Sequence, residues 1–292
     1  GCELIHCLPT NYRLNFGEEI KDPRNIFGEN LSVDIMLGLV PDMIYRNLAT
    51  VIENAHLEIV GKAFSAYASG LACLVDDEKE IGATVVDIGG GMTSIASFRH
   101  GFPVYFSSIP VGGNNVTNDI AFGLTTSFAH AERLKTLHGC AFLTRKDSEE
   151  TINVYPVGEE DDSSIKQITK AELISIITPR IEEIFELVNQ KLEEQGLKDI
   201  SSHRVVLTGG GSQLSGIREV ATMVLDKQVR IGRPKNISNL PEILYNPAYS
   251  TCIGLLLFAL NYTERKPNKI VNKPAGNSGA LGKILGWIKQ NF

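Results

Sequence analysis

The sequence predicts an α/β fold built from two similar halves, with a smaller mixed region ahead of them. Two stretches carry that expectation: VVDIGGGMTS at 85–94 and VVLTGGGSQL at 205–214 each run a β-branched, strand-like segment into a glycine triplet. A third observation is the alternation of such segments with stretches of helical periodicity, the pattern of mixed α/β architecture.

The first region, to about residue 57, reads as short strands and one helix. NLSVDIMLGLVP (30–41) alternates as a strand does and ends in proline, and Asp42 is then the expected N-cap. Met43, Ile44, Leu48, Val51, Ile52 and Ala55 recur at helical spacing behind it. LEIVGKAF reads as a strand, AYASGLACLV as a small-residue helix, and DDEKE as the charged turn that closes it.

From Ala83 the texture turns to β. ATVVDI, MTSIASF and FPVYFSSIP are three strands joined by GGG and by RHG, so the first triplet links strand to strand. Residues 114–137 form two helices, with Thr125 or Thr126 capping the second. KDSEETINVYPVGEEDDSSIK is expected to be solvated loop. A long helix starts at a capping box, Thr169 to Glu172. Leu173, Ile176, Ile177, Ile181, Ile184, Phe185 and Val188 form its apolar stripe, Pro179 should kink it, and Gly196 should end it. RVVLT is then a strand, GGGS a turn, and QLSGIREVATMVL a helix. Ile253–Leu260 is the longest apolar run and suits a buried helix, while 261–278 is polar and reads as a tether.

Composition narrows the function classes. The chain has 292 residues, 43% hydrophobic and 21% charged, enough for a sizeable core. Its net charge of −6 argues against a general nucleic-acid binder, which needs a basic surface. No apolar run reaches the ~18 residues of a membrane span. The five cysteines (Cys2, Cys7, Cys73, Cys140, Cys252) show no CxxC pairing, which speaks against structural zinc or a disulfide framework.

Glycine tolerates positive φ and lets backbone approach a ligand, and successive N–H groups in such a turn converge on an anion, most often phosphate. Asp87, two residues before the first triplet, would repel a bare phosphate, so the pairing makes sense with Mg2+ or a polarised water between them. Thr93 or Ser94 would add hydroxyl contacts. The bland alternative is a tight hairpin in which the glycines serve geometry alone. A Walker loop is absent, and the first triplet does not sit between strand and helix as a dinucleotide fingerprint must. The second triplet precedes a helix, whose N-terminus favours an anion or a ribose–phosphate edge.

Together these motifs resemble a known superfamily. DIGGGMTS resembles the second phosphate loop of the actin/Hsp70/sugar-kinase ATPases, VVLTGGGSQLSG its adenosine loop, and AERLK (131–135) the Glu-x-x-Lys helix that holds adenine and ribose. Within it the chain is most similar to the FtsA cell-division family, through IPVGGNNVTNDIA, LEIVGKAFSAYASGLACL and YNPAYSTCIGLLLFAL. The resemblance implies an actin-like (ribonuclease H-like) two-lobed ATPase fold with an inserted small α+β subdomain. It implies ATP and Mg2+ as ligands, with Asp87 as the metal or water ligand. The nucleotide would be held by Asp87, Gly89, Gly90, Gly91, Met92, Thr93, Gly113, Glu132, Lys135, Gly209, Gly210, Gly211 and Ser212. It further implies an inserted subdomain at 1–57, one lobe at 58–110 and 235–262, and the other at 111–138 and 203–234. A subdomain at 139–202, a linker at 263–278 and a targeting helix at 279–292 complete that division. No Asp-Gly-Ser/Thr hairpin precedes Asp87, so the first lobe is expected to lack its N-terminal part and to have at most weak ATPase activity.

The tail carries its own signal. Leu281, Ile284, Leu285, Ile288 and Phe292 share one helical face, Trp287 flanks it, and Lys283 and Lys289 lie off it, the pattern of an in-plane interfacial helix drawn to anionic lipid. The alternative is a terminal helix packed on the protein's own core. In the FtsA family such a tail binds the cytoplasmic face of the inner membrane at the septum, where the protein polymerises, docks the FtsZ C-terminal tail and recruits other divisome proteins. PRIEEIFE (179–186) resembles part of the docking surface, with Arg180 and Glu183 as candidates. A pilus-assembly actin homologue, a chaperone ATPase or a small-molecule kinase of the same fold are the alternatives.

Overall fold

The computed structural model describes residues 1–264, except 16, 145–146, 148, 159–164, 198–203, 236 and 238. The first region is a three-stranded antiparallel sheet of order β2-β1-β3, made of β1 (Cys2–Leu14), β2 (Glu18–Ile20) and β3 (Leu31–Pro41), followed by α1 (Asp42–Asn54). β1 is a long strand rather than a short one. Its register slips between Leu4 and His6 and again between Pro9 and Asn11, the second as expected where proline removes a ladder donor. Asp42 is not the N-cap. Pro41 occupies that position, and Asp42 starts the first turn, 3.8 Å from Arg46. The helical spacing of α1 is real but its burial is not, since Met43, Ile44, Leu48 and Val51 are all exposed.

LEIVGKAF forms no strand. Side chains tie it down instead: Phe64 N–H donates to His6 Nε2 at 3.0 Å, and Lys62 pairs with Glu3 and lies over the Tyr45 ring. After α2 (Ser65–Cys73), the expected charged turn is a short helix, α3 (Asp76–Ile81). Three acidic residues in its first turn suit the helix dipole. Glu78 also reaches back to the Val75 N–H and pairs with Arg204 and Arg230.

The central meander follows the expected order: β4 (Ala83–Ile88), β5 (Thr93–Arg99) and β6 (Phe102–Ile109). Next come α4 (Gly113–Gly123) and α5 (Phe128–His138). Ser127, not Thr125 or Thr126, caps α5 by accepting from His130 N–H. Thr125 has φ +53°, and Thr126 donates to the Tyr155 carbonyl. A second correction lies beside that bond. The stretch expected to be solvated loop contains β7 (Thr151–Val154), with Ile152 and Val154 buried, paired to β8 (Lys166–Thr169).

α6 (Lys170–Glu193) begins where Thr169 Oγ1 accepts from Glu172 N–H, and it continues through Pro179. Seven of its residues at the expected spacing pack inward, with Ile176 only partly covered. Gly196, at φ +64°, lies just past its end. The chain closes with β9 (Val205–Thr208), α7 (Ile217–Leu225), β10 (Val229–Ile231) and α8 (Ser250–Glu264). α8 extends into the segment expected to be tether. It is also only half-buried, for Ile253 is covered while Leu255, Leu256 and Leu260 are exposed. No helix among the described residues is long and apolar enough to cross a membrane.

The lobe boundaries need revision. β9 pairs in parallel with β4, so segments assigned to different lobes form one five-stranded sheet of order β10-β9-β4-β5-β6. Both faces of it are covered, which explains the unbroken apolar runs in its inner strands. Val86, Ile88, Val205 and Leu207 pack into the core shared with α4 to α7. Val85, Ala96, Phe98 and Val206 pack on the other side with α2 and Ile253 of α8.

Candidate functional site

Because β4 and β9 are parallel neighbours, both glycine triplets leave the same edge of the sheet, side by side. The first triplet joins β4 to β5 as a strand-to-strand turn, closed by Gly89 N–H to the Met92 carbonyl at 2.9 Å. The start of α4 is stitched beneath it: Gly113 N–H donates to the Gly89 carbonyl and Asn114 N–H to the Gly90 carbonyl, at 2.9 and 2.7 Å. Gly112 makes this possible. A Cβ there would lie 2.6 to 2.8 Å from three backbone atoms of the turn, so only glycine lets the two segments touch. Gly91 faces open space, and Met92 is half-exposed beside it.

Several of the expected binders also brace the turns. The Gly89 and Gly113 N–H groups are engaged within the turn, so an anion has only the remaining N–H groups of the triplet. Thr93 is buried and its hydroxyl donates to the Val111 carbonyl, while Ser94 accepts from Ser65. At the second triplet, Ser212 is buried and donates to the Gly209 carbonyl at 2.7 Å. Nor does α7 start there. Gly210–Gln213 is one 3-10 turn, and α7 begins only after Gly216, which has φ +74°.

The two turns interlock through Gly209 and Gly211. Gly209, at φ +83°, lies against the Asp87 carboxylate and the Ile88 carbonyl, and Gly211 against the Ile88 side chain. Asp87 is almost fully buried. Its Oδ2 accepts from Ser69 Oγ of α2 at 2.6 Å and from Thr251 Oγ1 of α8 at 2.7 Å. Both lie in stretches that carry the family resemblance, AYASGLACL and YSTCIGLLLFAL, but nothing in either stretch marks its hydroxyl as a partner of Asp87.

Glu132 and Lys135 meet on α5. Lys135 Nζ is 2.7 Å from Glu132 Oε2, 2.8 Å from Thr117 Oγ1 and 3.0 Å from the Gly113 carbonyl. Thr117, buried on α4, donates to Glu132. Burial pushes the Glu132 carboxyl up, but hydrogen bonds from Lys135 and Thr117 outweigh it and hold the group below the usual range. The pair therefore sits next to the phosphate-type turn, joined to it through the start of α4. Thr117 lies in the IPVGGNNVTNDIA stretch but was not singled out, because its use depends on Glu132 and Lys135 of the neighbouring helix.

A divalent cation fits Asp87 as one ligand among several. Among the described residues no three His, Cys, Asp or Glu side chains converge. Mg2+ needs no such cage when phosphate oxygens and waters complete its shell. Arg180 and Glu183, on α6, lie elsewhere: Arg180 binds both Asp119 oxygens and also Glu183. The membrane candidates Leu281, Lys283, Ile284, Leu285, Trp287, Ile288, Lys289 and Phe292 lie outside the described residues.

A mixed sheet with paired glycine turns at one edge and helices on both faces is that of an actin-like protein, and solved structures agree. MreB5 of Spiroplasma citri bound to ADP superposes with a TM-score of 0.61 at 19% identity, covering 77% of this chain and 67% of that one. The PilM–PilN type IV pilus biogenesis complex gives 0.61 at 18%, covering 89% and 67%. The family model described as Cell division protein FtsA matches residues 84–254, which include both turns. Cell division protein FtsA of Agrobacterium fabrum is 39% identical over 292 residues, 99% of this chain and 66% of that protein. The Escherichia coli K12 protein of the same name is 32% identical, with 99% and 70% covered. The chain belongs to the FtsA family of cell division proteins, and spans about two thirds of the length of these relatives.

Proposed function

We propose that this chain is an ATP-binding, actin-like adaptor that holds FtsZ filaments at the cytoplasmic membrane and brings later division proteins to them. The observation that carries the nucleotide half is the convergence of the two glycine turns with Asp87 between them and the Glu132–Lys135 pair beside them. In this reading the remaining N–H groups at Gly90 and Gly91 face phosphate. Gly209 and Gly210 form the nucleoside wall, and Glu132 and Lys135 bind ribose and base edges. Bound Mg2+ would neutralise phosphate charge, with Asp87 as its protein ligand. The structures of MreB5 bound to ADP and to AMPPNP support the reading by fold alone.

The adaptor half rests on family membership and on the tail. Each buried apolar side chain of 281–292 offers ~1.5–3 kcal/mol gross, much of it offset by ordering a short helix. One copy should bind lipid weakly and a filament of copies strongly. Flotation tests both halves. The 292-residue chain, mixed with labelled ATP, Mg2+ and vesicles rich in anionic lipid, should float and carry label. A chain ending at residue 278 should stay at the bottom. Equal flotation of the two would overturn the membrane role, and flotation without label would overturn the nucleotide role.

A further inference from the structure

Asp87 is held from two sides by hydroxyls outside the two glycine turns. Ser69 Oγ and Thr251 Oγ1 approach the same carboxylate oxygen, Oδ2, and stand 2.8 Å from each other. Three oxygens thus form a triangle with every edge at hydrogen-bonding distance. The two hydroxyls bring only two protons to its three edges. Both can be spent on the carboxylate, Ser69 and Thr251 each donating to Asp87 Oδ2. Ser69 is fully buried, and Asp87 nearly so. The other oxygen, Oδ1, is turned toward the Gly209 backbone, where the two glycine turns meet.

We propose that Ser69 and Thr251 are positioning residues that fix the Asp87 carboxylate rotamer, occupying Oδ2 and reserving Oδ1 for the charge bound between the glycine turns. The inference rests on the nucleotide reading above. Two contributors from two helices make the hold stiff, since rotating the carboxylate away would break both bonds inside a buried site. A carboxylate presenting one defined oxygen is preorganised for a hard cation, whose ligand geometry is strict. The triangle also ties β4 to α2 and α8 at once. The carboxylate therefore moves only with the helix pair that covers that face of the sheet.

Thr251→Val, Thr251→Ser and Ser69→Ala in the 292-residue chain test the proposal, with ATP affinity measured with and without Mg2+. In the wild-type chain Mg2+ should tighten ATP binding. Thr251→Val and Ser69→Ala should each cut that Mg2+-dependent factor at least threefold while leaving Mg2+-free affinity within twofold, and Thr251→Ser should restore it. Unchanged Mg2+ dependence in both variants would overturn the proposal. So would an equal loss with and without the metal, which is what a merely structural role gives. Hydrogen exchange of the 83–93 segment without nucleotide separates this claim from the reading beneath it. If the wild-type chain binds no ATP, the nucleotide reading fails. The hold of the two hydroxyls on Asp87 is then decided by exchange: faster in Thr251→Val and Ser69→Ala upholds that hold, and unchanged protection overturns it.

Discussion

Gly209 lies so close to Asp87 that a methyl group on it would stand 2.3 Å from Oδ1 and 2.5 Å from the Ile88 carbonyl oxygen. Its φ of +83° adds backbone strain for any other residue. Gly209→Ala should therefore cost about 2 kcal/mol or more in stability and weaken ATP binding at least tenfold. Its neighbour is the control. A Cβ at Gly210 meets nothing nearer than Ala248 Cβ at 4.0 Å, so Gly210→Ala should stay within about 0.5 kcal/mol of wild type. Urea unfolding of both variants decides the matter, and equal losses would show that contact with Asp87 is not what demands glycine at 209.

Gly254 plays the same part between helices. A Cβ there would fall 1.8 Å from the Ala68 carbonyl oxygen, so α2 and α8 touch backbone to backbone. Gly254→Ala must push them apart, costing about 3 kcal/mol by overpacking. Thermal melting reads the loss directly. Ser69 and Thr251 ride on these same helices, so the variant should also speed exchange at 83–93.

Much of this was legible in the sequence, and the misses share a cause. The meander of 83–109, the stripe of α6 and both glycine turns have local signatures: period-2 runs, period-3.6 runs and triplets. What failed was anything decided by distant partners. The strand β7 reads as acidic loop because only pairing with β8 and burial of Ile152 and Val154 make it a strand. The sheet pairing of β4 with β9 joins residues 84–87 to 205–208, and nothing in either segment names the other. At the site, the glycines, Asp87 and the Glu-x-x-Lys pair were found. Thr117, Ser69 and Thr251 were not, although each lies in a stretch that carries the resemblance, because a hydroxyl shows its use only once its acceptor is in place.

Acid should destabilise the fold through two buried groups. Burial alone would raise the Glu78 carboxyl, but Arg230, the Val75 N–H and Arg204 hold it down at about 2 against an ordinary 4.5. A depressed carboxyl contributes stability above pH 4.5 that is lost as pH falls toward 2. Burial lowers His6 from 6.5 to about 4. Its contribution is present above pH 6.5 and lost as pH falls toward 4, because the unfolded chain takes the proton first. Urea midpoints of wild type and Glu78→Gln should therefore differ most at neutral pH and converge between pH 4.5 and 2. A gap that did not change with pH would show that Glu78 acts by packing rather than by charge.

Arg180 separates a structural role from a partner-binding one. It already grips both Asp119 oxygens, at 2.6 and 3.0 Å, linking α6 to α4. Asp119 and Glu183 together hold the guanidinium well above its ordinary pKa, the hydrogen bond to Asp119 contributing most. A partner needing this cation must share it or break the pair. Arg180→Ala removes both functions, whereas Asp119→Asn keeps the cation and loosens its anchor. If Arg180 contacts the FtsZ C-terminal tail, Arg180→Ala should weaken binding of that peptide about tenfold, while Asp119→Asn leaves it equal or tighter. If Arg180 only fastens the helices, both variants should lower the melting temperature alike and leave peptide affinity where it was. Fluorescence anisotropy with a labelled tail peptide, run beside thermal melts of the same two variants, distinguishes the outcomes. The exposure of the pair favours a small stability effect, under about 1 kcal/mol, so a tenfold change in affinity would stand clear of it.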